Sequence, residues 1–284
     1  MTKYNYTPEL KDIEATISSV KSSINKYLTP EIFDKCLGLI DLTTLNSTDT
    51  YTKVKGFVGK VNEFKSKFPN NSLPASICIY PNFSGTVKET LTEKVNVTAV
   101  AAGFPTSQTY IEVKCLECKM AVEKGADEID IVLALNSFLE GNFDYCSEEI
   151  AAIRKTIPNA HLKVILETGA LKTPENIAKA SFLAIEAGAD FIKTSTGKID
   201  VSATPEAAVV MCNCIKAYYE ATGKKIGFKP AGGIATAEDA ALYYGIVDTI
   251  LGEEWLNPTL LRFGASRMAN NLLSAIYGKE IKHY

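Results

Sequence analysis

From about Leu37 onward the chain repeats one rhythm: a short apolar run, a turn, then a longer stretch whose apolar residues recur at three- and four-residue steps. The candidate strands are residues 37–42, 75–80, 96–101, 128–133, 162–166, 190–194, 225–229 and 261–264, with 247–251 competing for the eighth place. Several of the intervening helices open on a capping Thr followed by Pro and Glu, as at Thr173-Pro174-Glu175 and Thr204-Pro205-Glu206. Strands alternating with helices imply a parallel sheet covered on both faces. Eight such units in about 250 residues have the size of a (β/α)8 TIM barrel, although a doubly wound sheet gives the same local signals.

A first segment stands outside this rhythm. Leu10, Ile13, Ile17, Val20, Ile24 and Leu28 mark an amphipathic helix after the start signal Thr7-Pro8-Glu9, and Thr29-Pro30-Glu31 begins a second. The predicted organisation is therefore an N-terminal helical arm over residues 1–35 and a barrel catalytic domain over 36–284 that includes the C-terminal tail. The arm is expected to pack on the main domain or on a partner subunit, with a homodimer as the candidate assembly.

Composition narrows the function classes. With 46% apolar and 22% charged side chains in 284 residues, the chain has material for one large core. No apolar stretch reaches the roughly 18 residues that cross a bilayer, and the N-terminus leads into polar sequence, so a cytoplasmic protein with no membrane partner is expected. A net charge of −3 from dispersed charges gives no footprint for nucleic acid. Seven cysteines are expected to be reduced thiols; Cys115 and Cys118 form a CxxC, but inside a helix-like run. With His161 and His283 the only histidines, no metal site is expected.

An internal repeat locates the chemistry. Gly125-Ala126-Asp127 precedes one candidate strand and Gly188-Ala189-Asp190 another, and Asp130 and Lys193 each lie five residues beyond the glycine of their own triplet. If the two units are equivalent, the fourth and sixth strands present a carboxylate and an amine at one height, facing each other across the barrel interior. Asp41, Lys163 and Lys229 likewise interrupt apolar strand sequence, where a charge needs a partner or a task. A buried ion-pair network is one reading. Reactive chemistry is the other: two neighbouring buried lysines disfavour each other's charge, so one can be a neutral nucleophile that attacks carbonyls, with Asp130 relaying protons.

Glycine turns supply a second half. Gly197 follows the sixth strand, Gly232-Gly233 the seventh, and Gly264-Ala265-Ser266 the eighth. Backbone N–H groups at such turns and at helix N-termini bind phosphate, and barrels usually build that site after strands seven and eight. Together with Lys193 at a strand end, they point to a phosphorylated carbonyl substrate. No dinucleotide or P-loop motif is present.

Seven colinear blocks then resemble the deoxyribose-phosphate aldolase family: Asp41-Leu42-Thr43-Thr44-Leu45, Ile77-Cys78-Ile79-Tyr80-Pro81, Gly125-Ala126-Asp127-Glu128-Ile129-Asp130, Leu162-Lys163-Val164-Ile165-Leu166-Glu167-Thr168-Gly169, Phe191-Ile192-Lys193-Thr194-Ser195-Thr196-Gly197-Lys198, Gly227-Phe228-Lys229-Pro230-Ala231-Gly232-Gly233 and Arg262-Phe263-Gly264-Ala265-Ser266. The resemblance implies a class I aldolase on a (β/α)8 barrel. It would cleave 2-deoxy-D-ribose 5-phosphate reversibly to D-glyceraldehyde 3-phosphate and acetaldehyde, without metal or organic cofactor. By position, Lys193 matches the Schiff-base lysine, Lys229 the lysine that lowers its pKa, and Asp130 the proton-shuttling carboxylate. Asp41, Thr196 and Lys198 match polar positions around the site, and Gly197, Gly232, Gly233, Gly264 and Ser266 the phosphate cradle. Cys78 matches a site-proximal cysteine and is read as a packed core thiol. Some members end in a tyrosine that folds back to assist enamine protonation, so Tyr284 is expected among the catalytic residues.

Two departures stand out. Where the family often has Arg after Gly-Gly-Val/Ile, this chain has Ala235, and where Ser or Thr often follows the strand-eight serine, it has Arg267. Arg267 either restores the missing charge at the phosphate or is a surface residue that points away. The rival functions are another lysine-imine aldolase or transaldolase-like barrel, a pyridoxal phosphate enzyme linked through Lys193, and a silent sugar-phosphate binder.

Overall fold

In the computed structural model, which describes residues 2–284, the alternation becomes eight parallel strands: β1 (Ile40–Thr43), β2 (Ser76–Ile79), β3 (Asn96–Val100), β4 (Glu128–Val132), β5 (His161–Ile165), β6 (Phe191–Lys193), β7 (Gly227–Lys229) and β8 (Phe263–Ala265). Their order is β7-β6-β5-β4-β3-β2-β1-β8. Backbone bonds span the remaining gap: Phe228 N–H donates to the Leu260 carbonyl at 2.8 Å and Gly264 N–H to the Pro230 carbonyl at 3.0 Å. The sheet therefore curls into a (β/α)8 barrel, whereas a doubly wound sheet would reverse its strand order partway across.

Sequence expectation and structure differ at two strands. Leu37 ends the short helix α2 (Pro30–Leu37), so β1 starts only at Ile40. Residues 247–251 close the helix Ala237–Leu251. Its start explains why: the Thr236 hydroxyl accepts Asp239 N–H at 3.0 Å while the Asp239 carboxylate accepts Thr236 N–H at 2.9 Å, a reciprocal cap that commits the following apolar residues to helix. Thr29, Thr173 and Thr204 cap other helices through their hydroxyls, each contact worth about 1 kcal/mol.

The pleat of these strands sorts the chemistry. Successive side chains point to opposite faces. Residues such as Ile129, Ile131, Val164, Ile192 and Phe228 face outward into the apolar layer beneath the helices. Their neighbours Glu128, Asp130, Lys163, Lys193 and Lys229 face the lumen and pair with one another there. At the amino end of the strands, Phe191 takes up the space that Gly227 leaves: a Cβ on Gly227 would lie 2.3 Å from the Phe191 ring. The barrel is therefore a polar well with an aromatic floor, surrounded by an apolar sleeve.

Helix α1 (Leu10–Ser22) buries Ile13, Ile17 and Val20 against the helices Pro205–Thr222 and Ala237–Leu251, and α2 lies on Ala237–Leu251 and Met268–Tyr277. Tyr27 between α1 and α2 donates its hydroxyl to Asp248 at 2.7 Å. The fit depends on Gly245, where an added Cβ would lie 2.6 Å from the Tyr27 ring and 2.8 Å from Val20. Gly245→Ala is expected to force these helices off the barrel at a cost of about 1–3 kcal/mol. Denaturant unfolding would measure the loss, and limited proteolysis should cut residues 1–35 faster than in the wild type.

Candidate active site

Lys193 is the last residue of β6 and Lys229 the last of β7, so both amines rise from carboxyl ends of strands, the end at which barrel sites are built. Asp130 in β4 receives both: its Oδ2 lies 2.8 Å from Lys193 Nζ and 2.7 Å from Lys229 Nζ. Its Oδ1 accepts from Lys163 at 3.1 Å. The carboxylate and amine expected from the Gly-Ala-Asp repeat thus meet across the lumen. Asp41 in β1 lies 2.5 Å from Lys229 Nζ, and Arg262 bridges Asp41 at 2.5 Å and Glu128 at 2.7 Å. Lys163 also pairs with Glu128.

Three carboxylates, Asp41, Glu128 and Asp130, therefore face four basic groups, Lys163, Lys193, Lys229 and Arg262, all of them buried. The charges balance when one base is neutral. Burial lowers the Lys193 pKa from its usual 10.5, and the charge of Lys229 lowers it further against the pull of Asp130. Lys229 moves the other way: burial opposes its charge, but the carboxylates of Asp130 and Asp41 overcome that and raise its pKa. Asp130, which burial alone would push up, is held far below the ordinary carboxylate range by Lys163, Lys193 and Lys229. Glu128 is held at about 2 by Lys163 and Arg262 against the same burial. Of the four basic groups, Lys193 is the one whose surroundings lower its basicity, and a neutral amine is the form that adds to carbonyl carbon.

Above Lys193 opens a cavity of about 240 Å³. Of the residues singled out in the sequence, Lys193, Thr196, Gly197, Lys198, Gly232, Gly233, Gly264, Ser266 and Arg267 line it. Arg267 stands at the N-terminus of the helix Met268–Tyr277, exposed and on the cavity side. Lys198 crosses the mouth to donate to the Leu45 carbonyl at 2.5 Å, tying the loop after β6 to the loop after β1. Lys229 and Asp130 lie directly beneath, fully buried, so they act on the cavity through Lys193. Cys78 packs with Leu45 and Val100 in a small apolar cluster, its thiol pKa raised by burial.

Two expected site residues are placed elsewhere. Asp41 does not line the cavity; it is a fully buried carboxylate engaged by Lys229 and Arg262. Tyr284 lies in the helical layer, stacked on Phe64 with ring centroids 5.8 Å apart. Asn270 holds its backbone, accepting Tyr284 N–H and donating to its carbonyl, both at 3.0 Å. The rings of Phe64 and Phe68 and the Asn270 amide give the tail an apolar and polar seat away from the lumen. Its neighbour His283 contacts the Lys60 carbonyl at 2.7 Å.

Glu128, Arg262, Glu167 and the loop residues Thr43, Thr44, Leu45 and Asn46 belong to the site or its support and carry no assignment from sequence. Glu128 has a signal: it precedes Asp130 by two residues and so shares its strand face. Arg262 relates to Gly264 in the same way.

A family model described as DeoC/LacD family aldolase matches residues 36–244. The chain belongs to that family. The matched stretch includes Asp130, Lys193 and Lys229. Human deoxyribose-phosphate aldolase is 40% identical over 259 residues, covering 86% of this chain and 80% of its own length. Among solved structures, the aldolase QR15 superposes with a TM-score of 0.69 at 28% identity, covering 85% of this chain and 96% of its own. The deoxyribose phosphate aldolase of Aeropyrum pernix has the same fold, with a TM-score of 0.67 at 24% identity, covering 94% of this chain and 98% of its own.

The charge count makes Lys229 the control on the charge of Lys193. Lys229→Met leaves three carboxylates facing Lys163, Arg262 and Lys193, so Lys193 must stay protonated to keep the balance, and its pKa should rise. Borohydride trapping of an aldehyde on Lys193, followed across pH, is expected to shift its midpoint upward by about one unit or more, with at least a tenfold loss of trapping at pH 7.

Proposed function

We propose that this protein cleaves 2-deoxy-D-ribose 5-phosphate reversibly to D-glyceraldehyde 3-phosphate and acetaldehyde, with Lys193 as the imine-forming residue. The observation that carries the reading is a buried amine of lowered basicity, 2.8 Å from Asp130, at the bottom of a cavity rimmed by glycine turns, Lys198 and Arg267. The substrate is the one named by the human relative.

In the cleavage direction the Lys193 lone pair adds to the C1 carbonyl of the open-chain sugar, and the oxygen takes up a proton. Loss of that hydroxyl as water leaves a protonated imine. The C2–C3 electron pair then moves toward C1 as the imine accepts electrons; the C3 hydroxyl gives up its proton and becomes the aldehyde of glyceraldehyde 3-phosphate. The remaining enamine takes a proton at C2, and water hydrolyses the imine to acetaldehyde and the free amine.

Asp130 carries protons through this cycle, directly or by way of a water. With Lys193 charged, three ammonium groups hold its carboxylate strongly acidic; with Lys193 neutral, one of them is gone and its basicity rises. Lys229 supplies the charge that keeps Lys193 reactive. Gly197, Gly232, Gly233, Gly264 and Ser266 cradle the phosphate with backbone and hydroxyl donors, and Arg267 adds the full charge. Thr196 and Lys198 contact the sugar. No step is assigned to Tyr284.

The assembly in this reading is a homodimer in the cytoplasm. All seven cysteines are free thiols, as a reducing compartment requires. The helix Ile111–Glu123 turns Lys114 inward, where it pairs with Glu149, and leaves Val113, Leu116 and Met120 outward beside an apolar groove of about 570 Å³. A second copy of the chain suits that face, and the Aeropyrum pernix relative is described as tetrameric. Light scattering should give twice the chain mass, and Leu116→Glu should halve it.

The function is tested by reducing the enzyme with borohydride in the presence of acetaldehyde, mapping the adduct, and assaying cleavage of deoxyribose 5-phosphate in parallel. An adduct on Lys193 with release of glyceraldehyde 3-phosphate is expected. Arg267→Ser should then raise KM for the phosphorylated sugar by about tenfold, about 1.4 kcal/mol, and leave unphosphorylated deoxyribose unaffected. An adduct without cleavage would move the reading to another sugar phosphate; a bare Lys193 would overturn it.

A further inference from the structure

Glu167, just past β5, is costly on two counts. Its backbone is left-handed, with φ 56° and ψ 60°, a conformation that costs a non-glycine residue about 1–3 kcal/mol. Its carboxylate is also buried, at 3% exposure. Both oxygens are directed at one residue: Oε1 accepts Thr196 N–H at 3.1 Å and Oε2 accepts the Thr196 hydroxyl at 2.5 Å.

A threonine hydroxyl has one proton and two acceptor lone pairs. The proton of Thr196 goes to Glu167, since a carboxylate can only accept. One lone pair takes Lys198 N–H at 3.0 Å. One lone pair remains on a side chain that lines the cavity, so Thr196 can offer the substrate an acceptor and nothing else.

We infer that Glu167 is a positioning residue that fixes Thr196 as the acceptor for a hydroxyl group of the sugar, and so selects substrates carrying that hydroxyl. The inference rests on the aldolase reading. Phosphate dianion and carbonyl oxygens cannot donate a hydrogen bond; only a hydroxyl can. The C3 hydroxyl loses its proton on cleavage, so the partner present on both sides of the reaction is the C4 hydroxyl, which becomes the C2 hydroxyl of glyceraldehyde 3-phosphate.

The test runs the full-length enzyme in the synthetic direction, with acetaldehyde and either D-glyceraldehyde 3-phosphate or 2-fluoro-3-phosphooxypropanal, whose fluorine stands in place of that hydroxyl and can accept a hydrogen bond but not donate one. The wild type is expected to favour the hydroxylated acceptor about tenfold or more in kcat/KM, the worth of one well-placed hydrogen bond. In Glu167→Gln, an amide NH2 facing Thr196 turns the hydroxyl proton toward the cavity, and the preference should fall to within about threefold. Thr196→Val, which keeps the shape and removes the hydroxyl, should do the same and decides the matter if Glu167→Gln does not fold. A purely structural role would slow both acceptors equally and leave the ratio at its wild-type value; that result, or a wild type indifferent to the hydroxyl, overturns the inference. A wild type that uses neither acceptor overturns the aldolase reading instead.

Discussion

One carboxylate, that of Asp130, is shared by three ammonium groups in the buried centre of the barrel, and the remaining lumen charges are arranged around it. Taking a charge out of water costs several kcal/mol even after relaxation, and removing one partner of a buried pair costs about 3–5 kcal/mol. The array is therefore held as a unit: Glu128 and Arg262 steady Lys163 and Asp41, which in turn steady Asp130 and Lys229. Only Lys193, at the open end and 4% exposed, has access to anything other than its fixed partners. It is the member whose charge can be withdrawn without stranding another.

The fold tolerates this array by separating it from the apolar core. Because side chains alternate across each strand, a single strand such as β4 sends Ile129 and Ile131 to the helices and Glu128 and Asp130 to the lumen. Cohesion is carried by the outer sleeve and the threonine-capped helices, so the lumen is free to hold groups that contribute little to stability. The amines of Lys193 and Lys229, the glycine turns and the elbow at Glu167 all sit at the carboxyl ends of strands, where loops can be strained without disturbing that sleeve.

Much of this is legible in the sequence, for physical reasons that also explain what is not. The strand and helix rhythm is local, and the spacing within the Gly-Ala-Asp repeat is enough to bring Asp130 and Lys193 to one height. Arg262 and Glu128 are harder to read because their partners come from distant strands, and only closure of the barrel brings those together. Asp41 reads the same whether it touches substrate or supports Lys229; its depth decides, and depth is a property of strand register. Tyr284 matches by its terminal position, but where a tail docks depends on surfaces such as Phe64 and Asn270 that no tail residue encodes. The reciprocal Thr236 and Asp239 cap shows the opposite case, a local signal strong enough to settle residues 247–251 as helix.

Phe191, seated in the space left by Gly227, has a further effect. It fills the lumen below the amines, so Lys193 meets the outside through the mouth of the cavity above it. In the proposed reaction the sugar phosphate, the water that hydrolyses the imine and both products pass through that mouth in turn. The phosphorylated fragment sits nearest the rim, at the glycine turns, while the two-carbon fragment stays moored to Lys193 below it. The order of departure is then a matter of queueing: the larger product leaves first, and the covalent bond keeps the smaller one in place until the way out is clear.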